Sequence, residues 1–337
     1  MAFSRKDFIA RLGAFSLFGI LPAFSGFESS SSEIIKPKRI KRGATLGLVA
    51  PGSPIYNPND FENMITSLEG LGYTLVLGKH VKDRKGYLAG EDEDRVQDIM
   101  DMFSDDTIDA ILCTRGGWGS NRILPMVDFE LIKNNPKPFI GFSDITSLLL
   151  AIYKNTGLIT FHGPVGKSDW NSFTVDSWDE VLINAKKAHY EIPEDQEDTF
   201  TITPGVTEGI LLGGNLTVLT SMIGSDYLPD FEGAILFFED IGEDVYRVDR
   251  MLTQLKLSGI LNKINGFVFG KCTDCSSGSN SLPLKEVLND HIGGLNIPAF
   301  YGAMISHEDR NITLPIGIKA QMDAELKTIQ LLEAAVR

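Results

Sequence analysis

Pro138-Phe139-Ile140-Gly141-Phe142-Ser143-Asp144-Ile145-Thr146-Ser147-Leu148-Leu149-Leu150-Ala151-Ile152 changes its apolar pattern part-way along. Pro138 to Gly141 is a short run that reads as a strand, and Ile145, Leu148, Leu149 and Ile152 then recur at helical spacing. A strand feeding directly into an amphipathic helix is the building unit of a parallel sheet wrapped by helices. Working outward, Thr45–Ala50, Tyr73–Leu77, Ala110–Cys113 and Ile159–Phe161 read as further strands, and Val96, Ile99, Met100 and Phe103 mark another helix. From Thr45 onward the chain therefore reads as α/β.

Beyond residue 166 the pattern weakens. Residues 167–204 are polar, carry the acidic cluster Glu194, Asp195, Glu197 and Asp198, and lack a strong apolar period, so they are expected to be a linker. They separate a domain over 40–166 from a second over 205–337. The second holds a glycine-rich turn at Gly213-Gly214-Asn215, an apolar run Ala234–Phe238, a helix Val245–Leu257 and a strand Gly266–Gly270. The expected fold class is α/β: an N-terminal parallel-sheet, flavodoxin-like domain and a second, smaller, β-rich α/β domain. No internal repeat is evident.

The 337 residues, 43% apolar and 23% charged, exclude a disordered or collagen-like chain and suggest two domains. Three cysteines are too few to staple a fold of this size or to supply a four-thiolate zinc site. A net charge of −14 is a poor match for nucleic acid, whose binding is dominated by phosphate. The basic run Lys36, Lys38, Arg39, Lys41, Arg42 has no interleaved aromatic residue and reads as a solvated lead-in to the first strand.

Residues 1–28 have the layout of a bacterial export signal, with a basic start, an uncharged stretch Leu12–Phe24 and small residues at Ala23 and Ser25. Ser4-Arg5-Lys6-Asp7-Phe8 resembles a twin-arginine signal, with Lys6 in place of the second arginine. The 13 residues from Leu12 to Phe24 fall short of the roughly 18 expected for a membrane span. An exported, periplasmic protein without stable membrane insertion is expected. An uncleaved anchor is the alternative.

Several residues could carry chemistry. Ser143 lies where the strand turns into the helix, at the carboxyl edge of the sheet, which is where open α/β sheets place their sites. Its hydroxyl would project outward, with the N–H of Asp144 near the helix start to stabilise an oxyanion. The second glycine of Gly-x-Ser-x-Gly is replaced by Ile145, and Ser143 or Asp144 acting only as a helix N-cap is the bland reading. Arg115-Gly116-Gly117-Trp118-Gly119-Ser120 follows another strand, and its glycines permit close backbone approach, so Gly116 and Gly117 could add an oxyanion donor. Ser120 is a rival nucleophile.

The five histidines are His80, His162, His189, His291 and His307. His307 follows an apolar run on a loop that could enter a cleft, and Glu239 ends Ile235-Leu236-Phe237-Phe238, where a carboxylate could orient it. Ser143, Glu239 and His307 follow the serine, acid, histidine order of many α/β hydrolases. Cys272-Thr273-Asp274-Cys275 fits either a local disulfide or a reduced pair. No metal-ligand set is apparent, and no cofactor is expected.

Arg115-Gly116-Gly117-Trp118-Gly119, Gly141-Phe142-Ser143-Asp144, Gly213-Gly214-Asn215-Leu216, Phe238-Glu239-Asp240 and Ser306-His307-Glu308 together resemble the LD-carboxypeptidases, or muramoyltetrapeptide carboxypeptidases. The resemblance runs from about Thr45 to the C-terminus, with Trp118 where tyrosine is common. It implies Ser143 as nucleophile in preference to Ser120, Glu239 and His307 as its partners, and a site between the two domains. The implied reaction is hydrolysis of the amide joining an L-configured centre to a terminal D-alanine in a peptidoglycan tetrapeptide. A carboxypeptidase must hold a terminal carboxylate, for which Arg115, Arg247 and Arg250 are candidates. The related self-immunity peptidases, which cleave a peptide–nucleotide antibiotic, and a non-catalytic periplasmic peptide-binding protein are the alternatives. The expected partner is a murein peptide, not nucleic acid, and a homodimer is left open.

Overall fold

A computed structural model describes residues 33–337, so the expected export signal over residues 1–28 lies outside the described residues. Five short strands come first: β1 (Thr45–Val49), β2 (Thr74–Leu77), β3 (Ala110–Cys113), β4 (Phe139–Gly141) and β5 (Thr160–His162). They run parallel in the order β2-β1-β3-β4-β5, a doubly wound arrangement of the flavodoxin type. In such a sheet the crevice for ligands opens at the carboxyl ends of the strands, where the order reverses.

The remaining strands are β6 (His189–Tyr190), β7 (Phe200–Thr203), β8 (Val206–Asn215), β9 (Ala234–Ile241), β10 (Gly266–Thr273), β11 (Ala299–Tyr301), β12 (Leu314–Ile316), β13 (Lys319–Asp323) and β14 (Thr328–Leu331). Eight of them form a second sheet in the order β6-β14-β13-β8-β9-β10-β11-β7, parallel from β8 to β11 and antiparallel elsewhere. The exception, β12, returns to the first sheet and pairs antiparallel with β5, Leu314 lying opposite His162.

Three expectations differ from this picture. The segment 167–204 is more than a linker: it holds the helix Ser172–Trp178 and supplies β6 and β7, the two edges of the second sheet. That is why the second sheet is the wider, eight strands to six. The division at 167–204 is also crossed from the other side by β12. Gly213-Gly214-Asn215 is not a turn but the end of the long strand β8.

Apolar side chains from both sheets join one buried cluster. The helix Thr146–Thr156 shows why. It packs on β4 and β5 on one side and on β8 and the helix Leu216–Ser221 on the other, so Leu148 through Ile152 are all buried. Among the described residues no helix is long and apolar enough to cross a membrane.

Candidate active site

Ser143 adopts φ 62°, a left-handed conformation that costs a non-glycine residue about 1–2 kcal/mol. The strain is held by a turn of 3-10 helix, Ser143–Ile145, that connects β4 to the helix Thr146–Thr156. The turn after β3 fits against it closely. A side chain on Gly116 would start 2.8 Å from Ser143 Cβ and 3.0 Å from its Oγ, so only glycine leaves the hydroxyl in place. Below this contact, Ser53 after β1 donates its N–H to Gly116 O at 3.0 Å and accepts the Trp118 N–H on its Oγ at 3.1 Å. Three strand-end turns are thereby laced together.

Asp144 and Ser120 belong to the same lacing. The Asp144 carboxylate is buried and accepts from the Ser120 N–H at 2.9 Å and the Ser120 hydroxyl at 2.6 Å. Burial pushes the Asp144 carboxyl up, against the pull of those hydrogen bonds. Ser120 is fully buried with its hydroxyl engaged by Asp144. Buried Arg95, from the helix Asp92–Ser104, donates to the carbonyls of Pro51 and Gly119 and so joins the turns after β1 and β3.

The second half contributes an acid and a histidine. Glu239, at the carboxyl end of β9, is fully buried, and its Oε2 lies 2.6 Å from His307 Nδ1. Its other oxygen accepts from Asn215 Nδ2 at 3.2 Å, and the same Nδ2 donates to Asp240 Oδ1 at 3.0 Å. Asp240 further accepts the N–H and hydroxyl of Thr217 and the N–H of Ile241. Burial, with the charge of Glu239, raises the Asp240 carboxyl to about 6. For His307, burial opposes protonation, but the charge and hydrogen bond of Glu239 outweigh it and the imidazole is raised above its ordinary value.

The His307 ring packs on Phe142, the residue before Ser143, with centroids 4.7 Å apart. Nδ1 faces Glu239, which leaves Nε2 for exchange with a substrate. No hydrogen bond joins the Ser143 hydroxyl to the imidazole, an alignment that often tightens when substrate binds.

Ser143, Asp144 and His307 line one cavity of about 760 Å³ together with Arg115, Gly116 and Gly117. Asn215 and Asp240 also reach it. Of the five histidines only His307 lines it, since His162 is buried against Ile305 O, His291 pairs with Asp249, His189 with Glu191 and His80 with Asp83 and Asp94. Of the three arginines weighed for a carboxylate, Arg115 reaches the cavity. Arg247 pairs with Glu243 and Asp244, and Arg250 stacks on Tyr246. Cys272 and Cys275 are joined by a disulfide at the end of β10.

The roles of Asn215 and Asp240 were not readable in advance, although both stand in segments singled out in the sequence. Their signal was the pairing of polar residues with strand ends. Thr146 had none: its hydroxyl accepts the Asn215 N–H at 2.8 Å across the junction of the two halves.

A strained serine on a doubly wound sheet, lining the same cavity as a histidine backed by a buried carboxylate, is the arrangement expected of a serine-type hydrolase. Residues 46–163 match the LD-carboxypeptidase N-terminal domain and residues 208–322 the LD-carboxypeptidase C-terminal domain. The chain belongs to the LD-carboxypeptidase family and is a serine-type carboxypeptidase. A probable murein peptide carboxypeptidase of Bacillus subtilis is 41% identical over 309 residues, covering 89% of this chain and 95% of that protein. A solved structure of the microcin C7 self-immunity protein MccF, known from Escherichia coli, superposes with TM-score 0.84 at 29% identity, over 90% of this chain and 100% of that one. A muramoyltetrapeptide carboxypeptidase from Oxalobacter formigenes gives TM-score 0.76 at 31% identity, over 86% and 98%.

Proposed function

We propose that this protein removes the terminal D-alanine from murein tetrapeptides by hydrolysing the L,D amide through an acyl-enzyme on Ser143. The observation that carries the reading is the 2.6 Å contact of buried Glu239 with His307, on the same cavity wall as a serine held at positive φ. His307 Nε2 takes the proton as Ser143 Oγ attacks the scissile carbonyl, then delivers it to the leaving amine. A water activated by the same nitrogen releases the acyl group. Glu239 fixes the tautomer and stabilises the imidazolium. The N–H of Asp144, in the first turn where helical amides lack partners, and the backbone at Gly116 and Gly117 stabilise the oxyanion, at about 3 kcal/mol per donor. Arg115 retains free donors for the terminal carboxylate, one of its nitrogens being bound to Pro54 O.

Ser143→Ala is expected to fold and to lose turnover of the tetrapeptide, followed by mass spectrometry of the released amino acid. Retained turnover would remove Ser143 from the chemistry. The similarity to MccF favours a second reading, cleavage of a peptide–nucleotide antibiotic. Assaying both substrates side by side separates the two.

A further inference from the structure

His162 ends β5, is fully withdrawn from solvent, and takes no part in the proton transfers assigned to His307. Its ring nevertheless touches all three segments that carry the candidate triad. It packs edge-on against Phe142, the residue before Ser143, with centroids 5.9 Å apart. It packs edge-on against Phe237, two residues before Glu239 on β9, at 5.4 Å. Its Nε2 lies 2.8 Å from the carbonyl oxygen of Ile305, two residues before His307. Strand pairing fixes where the ring starts, since His162 lies opposite Gly141 of β4 on one side and Leu314 of β12 on the other.

A carbonyl oxygen only accepts, so the ring proton of His162 sits on Nε2. Nδ1 is buried and has no hydrogen-bond partner among the described residues, so a second proton there would be a buried donor without an acceptor. Burial holds the imidazole below its ordinary value against the pull of Glu239 and of the Ile305 carbonyl, and the charge of His307 acts in the same direction as burial. His162 is thus a neutral donor in the tautomer opposite to that of His307, whose Nδ1 faces Glu239. Resting on the carboxypeptidase reading, we propose that His162 is a positioning residue: by donating its Nε2–H to Ile305 O, it sets where the loop presents His307 to Ser143. The contacts with Phe142 and Phe237 hold the ring so that this donor points one way. The bond also runs from β5 in the first half to the loop of the second, so it ties the half that carries the serine to the half that carries the base. An imidazole displaced by about 1 Å loses about a hundredfold in rate.

The test uses two substitutions, assayed on a murein tetrapeptide well below the melting temperature of either variant. His162→Phe keeps an aromatic ring and loses the donor, whereas His162→Gln loses the ring and keeps an N–H at a similar reach. His162→Phe is expected to lower kcat by about tenfold to a hundredfold with KM within about threefold of wild type, and His162→Gln to recover most of that loss. A merely structural role would lower the melting temperature of both and leave kcat alone. In nitrogen-15 spectra of the wild type, the imidazole signal that disappears in both variants is expected to be neutral and protonated on Nε2. Wild-type kcat in His162→Phe, an equal fall in the two variants, or a His162 protonated on Nδ1 would overturn the positioning role and leave the carboxypeptidase reading standing. A wild type that does not turn over the tetrapeptide would overturn both.

Discussion

Glu239→Gln keeps the shape of a buried side chain and removes its charge, which makes it the sharpest perturbation of the site. Oε2 is 2.6 Å from His307 Nδ1, and both groups are largely withdrawn from solvent. Two unit charges about 4 Å apart interact by about 4 kcal/mol at an effective dielectric constant of 20, the regime suited to such a pair. That interaction is present when His307 is protonated and absent when it is neutral, so it acts on the transition state. Its loss alone corresponds to about a thousandfold in kcat, at 1.36 kcal/mol per factor of ten. The substituted amide can also donate to Nδ1 and select the tautomer that has no lone pair on Nε2, an effect of about ten-thousandfold in a related triad. A fall in kcat of about a thousand- to ten-thousandfold is therefore expected. The pH profile carries an independent sign. His307 must be neutral to act as a base, and because Glu239 raises its pKa, wild-type kcat/KM should fall as pH drops through a value above the ordinary histidine range. In Glu239→Gln that acid limb moves to lower pH. Stopped assays across pH 5–9, with thermal melting to confirm folding, would check both effects. A variant within tenfold of wild-type kcat, or one whose acid limb does not move, would refute the role assigned to Glu239.

Gly116→Ala places a methyl 2.8 Å from Ser143 Cβ and 3.2 Å from the Asp144 N–H. Displacing a nucleophile by about 1 Å costs about a hundredfold, so kcat/KM should fall by at least that much while the protein still melts cooperatively. Ser120→Ala removes one donor from the buried Asp144 carboxylate and should destabilise the fold by about 1–3 kcal/mol in denaturant titrations. Its kcat should stay within a few-fold of wild type, since a catalytic Ser120 would predict complete loss. Asp240 has an ordinary value of 3.8 and is raised to about 6 by burial, so the folded state holds the proton longer than the unfolded chain. Its contribution to stability therefore declines as pH rises from about 4 to about 6, by about 3 kcal/mol for a two-unit gap. Comparing unfolding free energies of wild type and Asp240→Asn across that window should show the steeper decline in the wild type, since Asp144 and Asp98, also raised by burial, titrate in both, and parallel curves would exclude it.

What could be read in advance follows burial. β1, β3, β4 and β5 are strands buried almost throughout, so their apolar runs stand out, and the sheet they form was legible. The parallel centre of the second sheet was legible for the same reason in Ala234–Phe238 and Gly266–Gly270. Its margins were not. β7 is half-buried at every position, β6 has two residues, and β13 and β14 alternate buried with partly exposed residues over only five and four positions. Strands this short are specified by their neighbours more than by their own composition. The candidate triad stood out because each member sits at the end of an apolar run, where a polar residue is conspicuous. Asn215 and Asp240 share that mark near the ends of β8 and β9, but nothing local shows which groups they bond, and Thr146 carries no mark at all.

Asn215 shows why that support is invisible to a local reading. Its backbone N–H bonds Thr146 in the first half, its side-chain oxygen caps the helix Leu216–Ser221, and its Nδ2 divides between Glu239 and Asp240. The approach that permits these bonds depends on Gly214, at φ 141°, where any side chain would run into that of Thr146. One carboxamide thus fixes the position of the acid relative to the turn that carries the serine, although the residues concerned lie far apart in the chain. Each bond alone is worth about 0.5–1.5 kcal/mol, or about 1.5–3 where the partner is charged. Their combined effect is geometric: with Glu239 held between Asn215 and His307, the imidazole has little freedom to leave the cavity wall it shares with Ser143. The spacing of the three residues in sequence is immaterial to the chemistry, and the junction of the two halves is what sets it.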